Sequence, residues 1–193
     1  DTIAKFTKET TSCLIDVTTQ HHDEILKDIA SSVGHNNMGI TFGLDERPGL
    51  GSIQIGKSEI VALVPIDWPL AKKDEVSVAD FVGKPMISTF PGEPLGNAVE
   101  RLLEQTGVAS EAVARVHNHS VAANLASKGV GATITDGITA AYAQRYYGGG
   151  TFKVCALENA PSLPVTAVYN YEHPLNKNAK RFIDIFRSYF RAQ

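Results

Sequence analysis

The hydrophobic positions of this chain alternate between stripes at helical spacing and short apolar runs, which predicts helices and strands following one another. Ile3, Ala4 and Phe6 mark a first helix that ends near Thr10. Because this helical pattern starts at the first residues, the sequence is expected to begin inside a fold. Residues 13–18 (CLIDVT) alternate as a strand. Residues 22–32 place Ile25, Leu26 and Ile29 on one helical face, with Asp23 and Glu24 near the N-terminus, where the helix dipole favours them. Gly34 fits the left-handed position after that helix. Residues 38–42 (MGITF) read as a short buried strand closed by Gly43. A polar, Pro/Gly-rich loop then leads into a longer strand at 59–65, which ends in the corner Trp68-Pro69-Leu70-Ala71.

Beyond that corner the alternation continues. Residues 76–81 predict a short helical turn and 85–88 a strand. Residues 95–105 form a helix with Leu95, Val99, Leu102 and Leu103 on one face, stopped by Gly107. A strand at 114–117 precedes a helix at 120–128, with Ser120 as its N-cap and Gly129 as its stop. Residues 131–135 are a buried strand, 138–146 a helix, 147–151 a turn and 152–157 another strand. The extended run 164–174 (PVTAVYNYEHP) leads to a last helix from Asn176, whose Ala179, Phe182, Ile183, Phe186 and Phe190 are expected to face the core.

Strands alternating with helices predict the α/β class, with a largely parallel sheet in each lobe. The extended segments 57–70 and 164–174 bracket a self-contained α/β block. The chain is therefore expected to leave one lobe (1–66 plus 165–193), build a second (67–164) and return. Such an arrangement makes a cleft, where small ligands bind.

Composition narrows the function. With 193 residues and 43% hydrophobic content the chain can bury a core. A charged fraction of 20% and a mean hydropathy near zero argue against a disordered chain. A formal net charge of −3 without a basic face makes this stretch alone a poor nucleic-acid binder. There is no signal peptide and no apolar run of ~18 residues, hence no predicted membrane span. Cys13 and Cys155 lie far apart with no CxxC, and are expected to be two buried free thiols in a reducing compartment, with a disulfide as the alternative.

Catalytic chemistry finds little support. There is no GxSxG elbow and no GxGxxG loop, and Ser120 beside His119 is not a triad. Asp45 and Glu46 fall in a solvated loop. No catalytic residue and no cofactor are predicted. His117 and His119 share a strand face at i, i+2, but His21, His22, His35 and His173 supply no third ligand at a matching spacing, so no metal is predicted.

Binding chemistry is better represented. Thr18, Thr19, Gln20, His21 and His22 lie where a strand passes into a helix, and their hydroxyls, amides and backbone N–H groups could hold a carboxylate; simple capping is the alternative. Phe42 and Gly43 end the third strand, where glycine permits close approach. Ser88, Thr89 and Phe90 follow another strand, at the end that faces a ligand crevice in α/β sheets. His119 and Ser120 open a helix whose dipole favours an anion. Thr135 and Asp136 end a buried strand. The Asp136 carboxylate could pair with an ammonium or guanidinium, or serve an Asx turn ahead of Gly137.

The corner at 68–71, residues 124–140 (NLASKGVGATITDGITA) and the closing helix 177–190 (KNAKRFIDIFRSYF) resemble, in order and spacing, the effector-binding domain of LysR-type transcriptional regulators. The resemblance covers essentially the whole chain. It implies a type II periplasmic-binding-protein fold: two Rossmann-like lobes, two crossover strands and an inducer in the cleft. It implies no enzyme activity, a cytoplasmic location, and promoter DNA bound through an N-terminal winged helix-turn-helix that this sequence lacks, along with a linker helix and a first strand. It also implies homodimers or homotetramers, with the helices at 95–105 and 22–32 as candidate contacts. Thr19 aligns best with the strand-to-helix turn that contacts inducers in the family, and His119 and Ser120 match positions that line its cleft. The loop at 135–140 (TDGITA) is most like those of members that sense amino acids or derivatives such as opines, so a small anionic or zwitterionic effector is expected. The sequence departs from the family at 34–40 (GHNNMGI), where Asn36-Asn37 stands in place of an Asp-containing turn. The rival readings are a transporter's solute-binding protein with the same fold, and a dehydratase or transferase on the same scaffold.

Overall fold

The computed structural model describes residues 2–10, 13–31, 38–43, 47–90, 92–107, 112–148 and 150–191. The chain divides into two compact units, Asp1–Lys57 with Pro164–Gln193, and Ser58–Leu163.

The first unit begins with α1 (Thr2–Glu9) and α2 (His22–Ser31), followed by β1 (Gly39–Phe42) and β2 (Leu50–Ser58). In the second unit β3 (Ile60–Pro65) leads through a 3-10 turn at Pro69–Lys72 to β4 (Glu75–Val76). A 3-10 turn at Val78–Phe81 precedes β5 (Met86–Thr89), α3 (Pro94–Thr106) and β6 (Ala112–Val116). Next come α4 (His119–Ser127), β7 (Ala132–Asp136), α5 (Gly137–Tyr147) and β8 (Phe152–Leu157). The chain returns to the first unit along β9 (Leu163–Asn170) and ends in α6 (Lys177–Arg191).

In the first unit the sheet order is β1-β9-β2, and β1 pairs antiparallel with β9, Gly39 opposite Val168 and Phe42 opposite Val165. Leu26 and Ile29 of α2 pack on Leu50 and Val168. This contact is close: a Cβ on Gly39 would collide with Cγ2 of Ile25. Phe6 of α1 meets Phe182 of α6 edge to face at 5.6 Å.

The second unit carries a six-stranded sheet in the order β4-β8-β3-β7-β5-β6. Strands β7, β5 and β6 run parallel, as do β4 and β8, while β3 is antiparallel to both of its neighbours. The strands that follow helices are parallel because a crossover helix returns the chain to the starting edge. β3 is reached directly from β2 with only Glu59 between them, and so is free to run the other way. The core is built on small residues. Ala122, Ala123 and Ala126 of α4 and Ala140 and Ala143 of α5 let both helices approach Leu63, Ile87 and Phe152 closely. At Gly131 the chain passes so near β5 that a Cβ would lie 2.5 Å from the Pro85 carbonyl oxygen.

Several expectations need correction. Residues 13–18 form no strand: Leu14 and Val17 are 87% and 66% exposed, and among the described residues no strand pairs with this segment. Their alternation was real, but without a ladder partner it does not make a strand. Residues 50–58 (LGSIQIGKS), assigned to a loop and its approach, are strand β2; Gly51, Ser52 and Gly56 break the apolar alternation there. The first unit's sheet contains an antiparallel pair, so parallel pairing describes only most of the second sheet. The division into units falls at 57/58 and 163/164, not 66/67 and 164/165, because β3 pairs with β7 and β8. Both cysteines are free, but only Cys155 is buried. On α6, Ile183 and Ile185 are fully buried, whereas Phe182, Phe186 and Phe190 are half-buried and form a row of ring contacts along the helix. The expected Gly34 cap, the Asn36-Asn37 turn and the Asp45-Glu46 loop lie outside the described residues.

Candidate functional site

The parallel strands β5, β6 and β7 end at Thr89, Val116 and Asp136, and the chain then turns into α3, α4 and α5. This is the strand edge at which open α/β sheets present residues to ligands. Candidates predicted from sequence gather here, though not in the roles first expected.

Asp136 is the N-cap of α5. Its Oδ1 accepts from the Thr139 backbone N–H at 2.9 Å and its Oδ2 from the Thr139 hydroxyl at 2.6 Å. The two preceding N–H groups of α5 are also used. Gly137 donates to the Glu59 carbonyl at 2.8 Å, and Ile138 to the Ser58 hydroxyl at 3.4 Å. The start of α5 therefore has its first amides satisfied internally and offers an incoming anion little.

At α4 the N-cap is Asn118, whose Oδ1 accepts from the Ser120 N–H at 2.8 Å. The expectation that Ser120 caps this helix is corrected: it is the second residue of the helix, exposed, with its amide already bonded. The Asn118 signal was present in the sequence, since Asn caps helices as well as Ser does.

His119 is the most informative residue at this edge. Its ring is half-buried, and among the described residues its Nδ1 has no hydrogen-bond partner. Burial pushes the imidazole below its usual value of 6.5, while the carboxylates of Asp136 and Glu93 pull the other way. Glu93, the N-cap of α3, did not stand out in the sequence. Thr135, next to Asp136, is fully buried, and its hydroxyl likewise has no partner. By contrast the Thr133 hydroxyl on the same strand donates to the Ile87 carbonyl at 2.9 Å. An unsatisfied buried polar group costs about 1–3 kcal/mol. Both groups belong to elements that end or begin at this edge, Thr135 on β7 and His119 at the start of α4, and the Asp136 carboxylate acts on His119.

Ser88 and Thr89 are half-buried and line a cavity beneath α3. Phe90 stacks flat on His117, with ring centroids 3.9 Å apart and 5° between planes, and the Arg115 guanidinium lies 5.9 Å from the Phe90 ring. His117 and His119 thus have different surroundings. Among the described residues no three His, Cys, Asp or Glu side chains gather as a metal site.

In the first unit, Thr18 and Thr19 are exposed in the extended segment before α2. The Gln20 amide donates to Asp28 Oδ2 at 2.7 Å, and the His21 N–H donates to Glu24 Oε2 at 3.2 Å, so these two residues help to secure α2. Behind them His22 is buried, with Nδ1 hydrogen-bonded to the Thr41 hydroxyl. Phe42 is half-buried at the end of β1. Gly43, at φ +96°, donates its N–H to the Pro164 carbonyl at 2.8 Å and accepts from the Thr166 hydroxyl at 2.7 Å. Its left-handed backbone explains the glycine without reference to a ligand.

The chain matches the LysR substrate binding domain over residues 1–191. It belongs to that family. This domain, the ligand-binding regulatory part of LysR-type regulators, has a type II periplasmic-binding-protein-like α/β fold. A relative among characterised proteins is the HTH-type transcriptional regulator DgcR of a Pseudoalteromonas species, 25% identical over 139 residues. That match covers 72% of this chain and 47% of the regulator, so the chain spans about half the length of this relative. The regulatory domain of CcmR from Synechocystis PCC6803, solved in complex with 2-PG, superposes with a TM-score of 0.81 at 14% identity, covering 98% of this chain and 89% of that one. A putative LysR family transcriptional regulator from Pseudomonas aeruginosa gives a TM-score of 0.78 at 17% identity, over 98% of this chain and 66% of that one. Among the described residues no helix is long and apolar enough to cross a membrane.

Proposed function

We propose that this LysR-family domain senses a small anionic or zwitterionic effector, an amino acid or a close derivative, and so controls transcription. The observation that carries this reading is the pair of unsatisfied buried polar atoms, His119 Nδ1 and Thr135 Oγ1, at the strand edge of the second unit. A neutral imidazole nitrogen and a hydroxyl can each donate or accept, which suits a ligand carrying both kinds of group. Asp136 places negative charge in the same neighbourhood, favouring a ligand that also bears an ammonium. Thr19 and Ser120 are proposed as further contacts on the family resemblance, Phe42, Gly43, Ser88, Thr89 and Phe90 on their place at strand ends, and Gln20 and His21 on their place at the turn into α2. That CcmR's regulatory domain was solved with 2-PG supports a small-molecule role for this type of domain.

In this reading the effector acts by population shift: it favours the conformation it binds better, by no more than its difference in affinity for the two. Promoter DNA is contacted by a winged helix-turn-helix outside this sequence, in homodimers or homotetramers that use α3 and α2 as contacts, and the protein works in the cytoplasm. No catalytic step is proposed.

A thermal-shift screen of the 193-residue chain against amino acids, opines, dicarboxylates and aromatic acids tests the proposal. Ligand at 100-fold over its Kd stabilises the native state by about 2.7 kcal/mol. A shift confined to one of these classes supports sensing; a flat profile across all of them contradicts it.

A further inference from the structure

The cavity that Ser88 and Thr89 help to line offers a binding site that does not use His119 or Thr135. It has a volume of about 360 Å³, lies entirely within the second unit beneath α3, and neither of those residues lines it. Val78, Phe81, Met86, Leu103 and Ile134 give it an apolar body, and Ser88 brings a hydroxyl to its wall. Two charges of opposite sign complete it: Glu100 from α3 and Arg115 from β6. Among the described residues neither takes part in an ion pair or a side-chain hydrogen bond; Arg115 has the Phe90 ring 5.9 Å away. The volume falls within the range of small-molecule sites, about 300–1,000 Å³, which are mostly apolar with a few placed polar groups.

The local sequence explains why a gap forms here. α3 buries Leu95, Ala98 and Leu102 against the unit, while Gly96, Val99, Glu100 and Leu103 follow one another at helical spacing along the cavity. That second stripe carries no bulky side chain at its N-terminal end and a charge in its middle. It does not fill the space over Met86 and Ile134.

We propose that this cavity binds a small zwitterion with an apolar body, of the class of the apolar amino acids. The ligand carboxylate meets the Arg115 guanidinium, its ammonium meets Glu100, and its side chain lies on Met86, Leu103 and Ile134. A ligand with only one charge leaves one of the two protein charges unmatched, so both ligand charges are needed for selectivity. This site contains neither His119, Thr135 nor Asp136, although Ser88 and Thr89, named above as further effector contacts, lie on its wall. A ligand seated beneath α3 would bear on the helix proposed as a subunit contact.

The test is an amide-resolved NMR titration of the 193-residue chain with L-phenylalanine, 3-phenylpropionate and phenethylamine, which share one apolar body. L-Phenylalanine is expected to shift amides of β5, β7 and α3, and each single-charge analogue to bind at least tenfold more weakly. Glu100→Gln and Arg115→Gln should each weaken L-phenylalanine at least tenfold, and Leu103→Trp should abolish its binding. Melting curves check that each variant is folded, and if Leu103→Trp is not, the comparison of the three probes on the unaltered chain decides. No shift up to the solubility limit, equal affinity for all three probes, or binding that survives both charge variants would overturn the proposal. Shifts centred on the amides at the starts of α4 and α5, and not on β5 and α3, would also overturn it, by moving the ligand to the other neighbourhood.

Discussion

Replacing Asp136 separates the structural and ligand roles that its position allows. The carboxylate is 2% exposed and bonds both the backbone N–H and the hydroxyl of Thr139. Asp136→Ala removes the N-cap of α5, worth ~1 kcal/mol and up to ~2. It also removes a negative charge from a helix N-terminus, worth about 0.3–1 kcal/mol. The expected loss is therefore about 2 kcal/mol. Asp136→Asn keeps an oxygen for the Thr139 amide and can donate its side-chain N–H to the Thr139 hydroxyl, so it should lose less than about 1 kcal/mol. In urea denaturation, with a slope of about 1–3 kcal/mol/M, the Ala variant's midpoint should fall by on the order of 1 M and the Asn variant's by a fraction of that. An Ala variant as stable as the parent, or an Asn variant as damaged as Ala, would refute the capping argument. Because the Asn variant stays folded, any loss of effector affinity in it reports the carboxylate's charge and not the cap.

Other outcomes follow from the same geometry. Thr135→Val deletes a buried hydroxyl that has no partner among the described residues, so its melting temperature should equal or exceed the parent's while effector binding weakens. For His119, burial lowers the folded-state value below 6.5, so between the two values the unfolded chain holds more protons. Stability should thus be flat above pH 6.5 and fall as pH drops through that value towards the folded one, and His119→Gln should flatten the decline in melting temperature. Gly131→Ala puts a Cβ 2.5 Å from the Pro85 carbonyl oxygen, which also accepts the Ala132 N–H at 3.0 Å, so the backbone has to shift. Chemical denaturation should show a loss of about 1–3 kcal/mol.

The fold was legible in the sequence wherever an element carried its own pattern. α3 was readable because Leu95, Val99 and Leu102 recur at helical spacing and Gly107 stops the helix in the left-handed conformation at φ +64°. β7 was readable because Ala132 to Asp136 is a short run of buried residues between Gly131 and Gly137. Strand β2 was not, because Gly51 and Gly56 stand where large apolar residues would have marked the alternation; Tyr169 and Phe190 fill the space over them. The opposite error at 13–18 has the complementary cause: alternation is a local property, but a strand needs a partner that local sequence does not reveal.

The candidate site was legible as a set of residue types at strand ends and illegible as a set of free groups. Sequence placed Asp136, Thr135, His119 and Ser120 at the ends of strands and the starts of helices, and the structure keeps them there. Which of their polar atoms remain available depends on contacts made over long separations, such as Ile138 with Ser58 and Gly137 with Glu59. Those contacts close the N-terminus of α5, whereas among the described residues His119 Nδ1 and Thr135 Oγ1 have no partner. The Glu100–Arg115 cavity was invisible for the same reason, since its two charges come from separate elements with no shared motif.

The central claim is that the His119–Thr135 neighbourhood holds the effector. Isothermal titration of the first ligand identified by thermal shift, into the parent chain and into folded His119→Ala and Thr135→Val variants, tests it most directly. The account predicts a loss of affinity of at least tenfold in each variant. Unchanged affinity in both would contradict it and place the effector elsewhere on the chain.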